Sequence, residues 1–590
     1  MIGQLTKRTQ DILGKSELVI ITERVDDVAL LIGLMKKIGL QEVLDNHIPR
    51  HWKQRGLSWG WTTVIWLAYI MSEGDHRKVS VRAYIGGMQN TLSQVTGQKI
   101  EPLDFTDESE SCLLKYLSKP KYWHQIEKEL NEKTIEIYQL AKETVRYDAT
   151  GVSGNHVVHE EGLMQFGHNK DNPNLPQFKM MIGALDPLGM PLVTEVVSGE
   201  QADDSLYLPA IKRVDESLNL TSLLYVGDCK MSAFETRLYI AGKGNHYLSP
   251  LPLTGQTAKE IETWSNQGVE KDFNYQLDLI FRNNDKGQEV LVASGYEFER
   301  SQCSFVEEKK IEWIERVLVI KSPTHAEQQI KGLEKRLQTA INKIKALTPE
   351  RGRGKRQITT KKQLKKAIEK ILKEQQVANL LSVEYEKQTE QKIGYVGRGR
   401  GSQNRPKQVI KKIRYSIVRV SRNEEEIDEV KDRFGWKAFV TNAPQVCLPL
   451  SEAVLTYRNE YRVERIFNRL KSRLNIAPVF VKRNDQMTGL THLLTLGVRV
   501  LTLLEFVVRR SLQEDQVQLP KLHPENPKKS TDKPTAERLL KVFSNISLTI
   551  IKNRSGEIIR HLTPLSDLQI EILKRLELDS LLYFNLENTT

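Results

Sequence analysis

Two aspartates and one row of polar residues on a helix are the features of this chain able to do chemistry. In VRYDAT the alternation of a β-strand puts Val145, Tyr147 and Ala149 on one face and Arg146, Asp148 and Thr150 on the other. Asp148 is thus a carboxylate inside an otherwise apolar strand. Unpaired it is costly to ionise, so a cation belongs nearby, either Arg146 or a metal. Asp228 ends SLLYVGD, where Leu224, Val226 and Asp228 share a face and Gly227 permits close approach of a neighbouring strand or ligand. Open α/β sheets bind ligands at the carboxyl ends of their strands; a turn or N-cap aspartate ahead of a helix is the plainer alternative. Tyr457, Glu464 and Lys471 follow at intervals of seven residues, close to two helical turns with a drift of roughly 20°. They line one helix face among Arg458, Arg462, Arg465, Arg469 and Arg473, while Val463, Ile466, Phe467 and Leu470 form a separate apolar stripe.

The elements that must position these groups can be read from texture. Residues 1–140 carry apolar positions at helical spacing, as in DDVALLIGLMKKIGLQEVLDNHI and WTTVIWLAYIMSEGD, and predict a helical N-terminal region. From residue 141 to 236, short β-branched and apolar runs (VRYDAT, FKMMIGALD, MPLVTEVVS, SLLYVGD) are separated by turn residues, with Asp186-Pro187-Leu188-Gly189 marking a hairpin. Residues 237–430 leave this pattern for two charged amphipathic helices, THAEQQIKGLEKRLQTAINKIKAL and KKQLKKAIEKILKEQQVANLLSVEYEKQ, with RGRGKRQITT between them and GYVGRGRGSQNRPKQ after them. The α/β texture returns over 431–512 with GWKAFVTN, the helix SEAVLTYRNEYRVERIFNRLKSRL and an apolar helix through THLLTLGVRVLTLLEFVVRRSL. A Pro-rich linker at 513–534 and a small C-terminal module at 535–590 complete the chain. The organisation is that of an α/β domain interrupted by an inserted basic one.

Y-R-N-E-Y-R-V-E-R-I-F-N-R-L-K-S resembles the Y-x-x-R-x-x-x-E-x-x-x-x-x-x-K signature of a large group of bacterial insertion-sequence transposases of the DDE type. Tyr457, Glu464 and Lys471 match it; Glu460 stands at the Arg position, with Arg458 and Arg462 beside it as replacement phosphate contacts. Glu460 is a rival third carboxylate, but Phe467 occupies the place seven residues on where a Lys is wanted, which favours Glu464. Asp148 in Y-D-A-T resembles the first aspartate of the group, G-H-N-K-D-N-P-N-L-P-Q-F its G-x-S-K-D-x-R-P-D-L-x-Q stretch, and V-G-D its second-aspartate strand. Gly199 and Asp203 resemble a G-N-x-x-D element in which Glu200 replaces Asn. The N-terminal ITERVDDVALLIGLMKKIGLQEVLDNHIPRHW looks like that of one subfamily, so the matches run in order over about residues 20–510.

The resemblance implies an RNase H-like catalytic core with Asp148 on its first strand, Asp228 on its fourth and Glu464 on a later helix. The 80 residues from Asp148 to Asp228 leave room for a hairpin, a third strand, a helix and a fourth strand. It further implies that the three carboxylates hold two Mg²⁺ ions, replaceable by Mn²⁺, which cleave DNA at the element ends and join the 3′-hydroxyls to target DNA. Lys471, Tyr457, Arg458 and Arg462 are expected at DNA phosphates, as are Arg351, Arg353, Lys355, Arg356, Arg398 and Arg400 in the basic loops. His168, Lys170 and Asp171 are placed near the site by the same resemblance. The expected partners are the inverted repeats and target DNA, met by a homodimer when DNA-bound. An RNase H-like nuclease without strand transfer, and a non-catalytic DNA-binding descendant, are the alternatives.

Composition agrees with a DNA partner. The chain has a net charge of +12, and residues 321–420 hold 26 Lys and Arg against 8 Asp and Glu, so the rest is net acidic. Cys112, Cys229, Cys303 and Cys447 are far apart with no C-x-x-C pair, which fits a reducing cytosol. The N-terminus lacks a signal-peptide core, and the apolar runs, one interrupted by Arg499 and Glu505, fall short of a clean membrane span. A protein of the bacterial cytosol or nucleoid is therefore expected. His156 and His159 read as a polar turn rather than a zinc pair, GRGRGS lacks the Lys-Ser/Thr of a phosphate loop, and Trp436 reads as core.

Overall fold

The computed structural model describes residues 19–50, 56–169, 172–269, 277–284, 287–306, 308–350, 357–396, 406–459, 461–526, 528–553 and 557–588. The chain divides into two compact units. One contains the chain up to Ser249, Cys303–Trp313 and everything from Thr456 onward; the other contains Pro250–Gln302 and Ile314–Leu455.

In the first unit, β1 (Val19–Arg24) leads into a helical region that includes α1 (Trp59–Glu73) and α2 (Pro120–Tyr138). The sheet that follows contains β2 (Thr144–Ser153), β3 (Gln177–Asp186), β4 (Met190–Ser198), β5 (Leu224–Val226) and β6 (His246–Pro250) in the order β4-β3-β2-β5-β6. β2, β3 and β4 pair antiparallel, β5 is parallel to β2, and β6 is parallel to β5. Parallel neighbours need a crossover; α3 (Asp204–Leu218) carries the chain from β4 to β5, and α4 (Phe234–Gly242) from β5 to β6. Hairpin, third strand, helix and fourth strand follow one another as the Asp148-to-Asp228 spacing predicts. β3 is buried at all ten positions, as a continuous apolar run enclosed on both faces must be.

In the second unit, β7 (Asp278–Asn283), β8 (Glu289–Val306) as far as Gln302 and β9 (Lys309–Lys321) from Ile314 onward precede α5 (Pro323–Ala346) and α6 (Lys361–Glu374). Then come the long hairpin β10 (Leu381–Tyr395) and β11 (Lys407–Arg422), and β12 (Trp436–Thr441), which pairs antiparallel with β9. The second charged helix is shorter than its pattern predicts. It stops at Glu374, Gln376 and Asn379 take positive φ, and LSVEYE then alternates with the period of a strand. Leu333, Leu337 and Ile344 of α5 pack with Leu364 and Ile368 of α6. Trp436 is buried.

α7 (Leu450–Arg458) and α8 (Tyr461–Asn468) lead to α9 (Asn484–Glu514), the central helix of the first unit. Contrary to the expectation that this run falls short of a span, α9 is, among the described residues, the one helix long and apolar enough to cross a membrane. Its most apolar window is 94% buried inside the unit, so its apolar surface is spent on packing. Arg499 within it is buried; its Nη2 donates to Asn131 Oδ1 of α2 at 2.6 Å and to the Pro191 carbonyl of β4 at 2.8 Å, and burial pushes its pKa down to about 9.

The C-terminal segment is not a separate module. β13 (Ser547–Lys552) pairs antiparallel with both β1 and β14 (Ile558–Leu562), and Tyr583 Oη donates to the Asp26 carbonyl at 2.8 Å. A lone hairpin is marginal in water; the N-terminal strand supplies the third member. Sequence reading saw two remote segments because strand pairing over more than 500 residues leaves no local mark.

α9 also crosses the helix of Leu114 very closely. A β-carbon on Gly489 would lie 2.0 Å from the Leu114 carbonyl oxygen. Gly489→Ala should therefore destabilise the fold by about 1–3 kcal/mol, as overpacking does, read as a lower urea midpoint. An unchanged midpoint would mean that the helices do not cross there.

Candidate active site

The parallel register of β2 and β5 builds the site. Thr144 lies opposite Leu224, Val145 opposite Tyr225 and Arg146 opposite Val226; two residues further along the two neighbouring chains come Asp148 and Asp228. Both are half-buried at the carboxyl end of β5. Asp148 Oδ1 accepts the Ala149 amide at 2.8 Å, and Asp228 Oδ1 accepts the Lys230 amide at 2.8 Å. Asp228 Oδ1 also accepts the Tyr207 hydroxyl at 2.7 Å. Burial drives the Tyr207 phenol far above its ordinary pKa, and the charges of Asp228 and Asp148 drive it further, so it stays a proton donor. The ring lies over Gly227, where a β-carbon would come within 3.0 Å of Tyr207 Cε1 and 2.8 Å of Met231 Sδ. The close approach that Gly227 permits is thus by a side chain of α3. Sequence reading missed Tyr207; its one signal was an aromatic on the apolar stripe of LYLPAIKRVDESL.

Arg146, the first candidate for the cation beside Asp148, is turned elsewhere. Its Nη2 donates to Asp186 Oδ2 at 2.8 Å and to the Thr456 carbonyl at 2.7 Å. Arg462, expected at a phosphate, pairs with the same Asp186. Arg465 and Arg469 both bind Glu505 of α9, which also pairs with Arg509 at 2.8 Å, and Arg473 Nη2 donates to the Met71 carbonyl at 2.6 Å. Much of the arginine row that looked DNA-facing in sequence therefore holds the helix in place. Tyr457 and Arg458 are half-buried at the end of α7.

The polar row itself is broken. The predicted single helix ends at Arg458 and restarts at Tyr461, with the Asn459 amide bonded to the Thr456 carbonyl and the Arg462 amide to the Asn459 carbonyl. At Arg469–Arg473 the helix widens into a π-turn, its Leu474 amide bonding to the Arg469 carbonyl five residues back. Tyr457, Glu464 and Lys471 therefore do not share one straight face. Val463, Ile466 and Phe467 are buried and Glu464 is exposed. Among the described residues no three His, Cys, Asp or Glu groups gather into a metal cluster; the strand register brings Asp148 and Asp228 to neighbouring positions.

Lys471 does reach the neighbourhood. With Thr150 and Gly151 of β2, His168, Lys179 and Asp203 it lines a cleft of ≈ 160 Å³. Lys179 Nζ lies 2.6 Å from Asp203 Oδ1 and 2.7 Å from the Gln201 carbonyl. Lys179 was overlooked in the sequence, although a lysine inside FKMMIGALD is as anomalous as Asp148 inside its own strand. His156 Nε2 lies 3.1 Å from the Val481 carbonyl. Lys170, Asp171, Arg351, Arg353, Lys355, Arg356, Arg398, Arg400 and Glu460 lie outside the described residues.

These features define a mixed α/β protein with two adjacent carboxylates at the carboxyl end of a parallel strand pair. No family model and no curated protein matches the chain. Among solved structures, a cryo-EM structure of the piggyBac transposase synaptic complex with hairpin DNA aligns at 7% identity and a TM-score of 0.34, covering 96% of this chain and 85% of that one.

Two outcomes follow from the site. Tyr207→Phe, which keeps the packing and deletes the hydrogen bond to Asp228, should lower any metal affinity or activity by about 10–100-fold with an unchanged thermal midpoint; equal binding and turnover would exclude an orienting role. Burial alone would push Glu505 up, but Arg469, Arg509 and Arg465 outweigh it and hold the carboxyl below its ordinary value. A depressed pKa gives stability that is full above the ordinary carboxylate range and lost as pH falls through the lowered value. Glu505→Gln should cost about 3–5 kcal/mol near neutrality and flatten the acid limb of a stability–pH curve; a parallel, merely shifted curve would contradict this.

Proposed function

We propose that this chain is a DNA transposase of the RNase H-like DDE type, which cleaves DNA at the ends of an insertion sequence and joins the 3′-hydroxyls to target DNA. The observation that carries the reading is the register that sets Asp148 beside Asp228 at the carboxyl end of β5, on strands ordered β4-β3-β2-β5-β6. Two adjacent half-buried carboxylates fit a hard divalent cation in donor type. Mg²⁺ held there, two ions per site with Mn²⁺ as substitute, would supply an activated water or 3′-hydroxyl and neutralise charge at the phosphate.

The chain's own groups have separable tasks in this reading. Asp148 and Asp228 bind the cation, and Tyr207 keeps Asp228 Oδ1 oriented. Lys471, beside β2 in the cleft, receives a backbone phosphate as a point charge. Glu464, on the exposed side of α8, is the third carboxylate in this reading. The active form is a DNA-bound homodimer at paired inverted repeats, in the bacterial cytosol or nucleoid. The exposure of Glu464 favours a second reading, a DNA-binding descendant that has lost catalysis.

Incubation with Mg²⁺, DNA carrying the element's own ends and a target plasmid separates the readings. Joined products that vanish in Asp148→Ala and Asp228→Ala, with the far-ultraviolet circular dichroism retained, are expected for the transposase. Cleavage without joining would leave a nuclease, and DNA binding without either product would leave the non-catalytic descendant.

A further inference from the structure

The hairpin of β10 and β11 holds its pairing from Leu381–Arg422 to Tyr395–Lys407, with one irregularity at Glu384/Tyr385. Its base is packed: Val383, Tyr385, Tyr415 and Ile417 lie against the core of α5 and α6. Its outer half is a bare ribbon. From Lys387 to Tyr395, about 30 Å at the rise of a strand, every residue but Gly394 is exposed, and so is the partner strand from Lys407 to Ile413.

The two faces of that outer half differ. Cross-strand partners share a face, so the register puts Lys387, Lys407 and Lys411 on one side with Ile393, Tyr395 and Val409. The Lys407 ammonium lies 5.8 Å from the centroid of the Tyr395 ring, consistent with a shared face. Positions 387–395 and 407–415 on that side contain no carboxylate. The other side mixes Lys392, Lys412 and Arg414 with Glu386 and Glu390. Ile393 is 72% exposed and Val409 56%, an unusual outlay of apolar surface unless something covers it.

We propose that the carboxylate-free face of this ribbon is a docking surface for double-stranded DNA. A two-stranded antiparallel ribbon is narrow enough for the major groove of B-form DNA, about 12 Å wide. The three lysines match phosphates, and the apolar residues between them match base edges and thymine methyl groups. A second copy of the chain is the poorer occupant, because each lysine would face lysines with no carboxylate to offset them. The inference shares with the proposed function only the premise that DNA is the partner.

The test compares the full chain with K387Q/K407Q/K411Q and with K392Q/K412Q on the opposite face. Each is titrated with a random-sequence B-form duplex of about 40 base pairs, at salt from about 50 to 200 mM. The first variant should flatten the dependence of log affinity on log salt by about 0.9 for each phosphate left without its lysine. The second should leave the slope near that of the parent. Equal slopes in all three, or equal flattening in both variants, would overturn the docking face while leaving the Mg²⁺-dependent cleavage assay to judge the transposase reading on its own. A parent chain that binds no duplex would remove both. A change of oligomeric state in the first variant without a change of slope would assign the face to a second copy and also overturn the proposal.

Discussion

Asp186, the last residue of β3, accepts two arginines that arrive from distant parts of the chain, Arg146 on β2 and Arg462 on α8. The carboxylate is buried, so removing it would leave both guanidiniums without their acceptor, and breaking a buried pair in this way costs about 3–5 kcal/mol. The clamp has two consequences for the site. It takes Arg146 away from Asp148, so the neighbouring arginine is not the cation that the lone carboxylate in β2 calls for. It also ties α8 to the β3 end of the sheet, with the β-carbon position of Gly189 3.3 Å from the Arg462 carbonyl. From that anchor the chain runs on to bring Lys471 beside Thr150 and Gly151.

A second anchor holds the far end of the same segment. Arg469 and Arg465 converge on Glu505 of α9, and Arg469 Nη1 adds a bond to Thr502 Oγ1 at 3.1 Å. Drawing Arg469 into that buried network while Lys471 stays at the cleft asks one short stretch to face two ways, and the π-turn at Arg469–Arg473 is where the backbone accommodates it. α9 in turn is seated by Arg499 on α2 and β4. The chemistry-bearing segment therefore hangs between a sheet and a buried helix, held by arginine pairs on both sides and by its own buried Val463, Ile466 and Phe467.

This explains what was legible beforehand. The strands were, because VRYDAT and FKMMIGALD carry period-two alternation or a long apolar run, and the positions of Asp148 and Asp228 on the sheet were, because one carboxylate lies inside such a run and the other just past the end of one. The helix row of Tyr457, Glu464 and Lys471 was over-read: seven-residue spacing gives a common face only on an unbroken α-helix, and neither the break at Asn459 nor the π-turn has a local sequence signature. The arginines were misread for a related reason. A charge in sequence does not say whether it meets solvent or a buried carboxylate, and Asp186, Glu505 and Tyr207 are far away along the chain. The β1–β13 pairing and the end of the second basic helix were hidden in the same way, by long-range pairing and by positive-φ residues that are not glycine.

Whether Asp148 and Asp228 act as one divalent-cation site is tested, without relying on turnover, by Mn²⁺ binding followed by electron paramagnetic resonance. With duplex DNA present, the parent chain should bind Mn²⁺ that Mg²⁺ displaces, and Asp148→Asn and Asp228→Asn should each abolish that binding, since neither carboxylate holds the ion alone. Mn²⁺ binding that survives both substitutions unchanged would contradict the account.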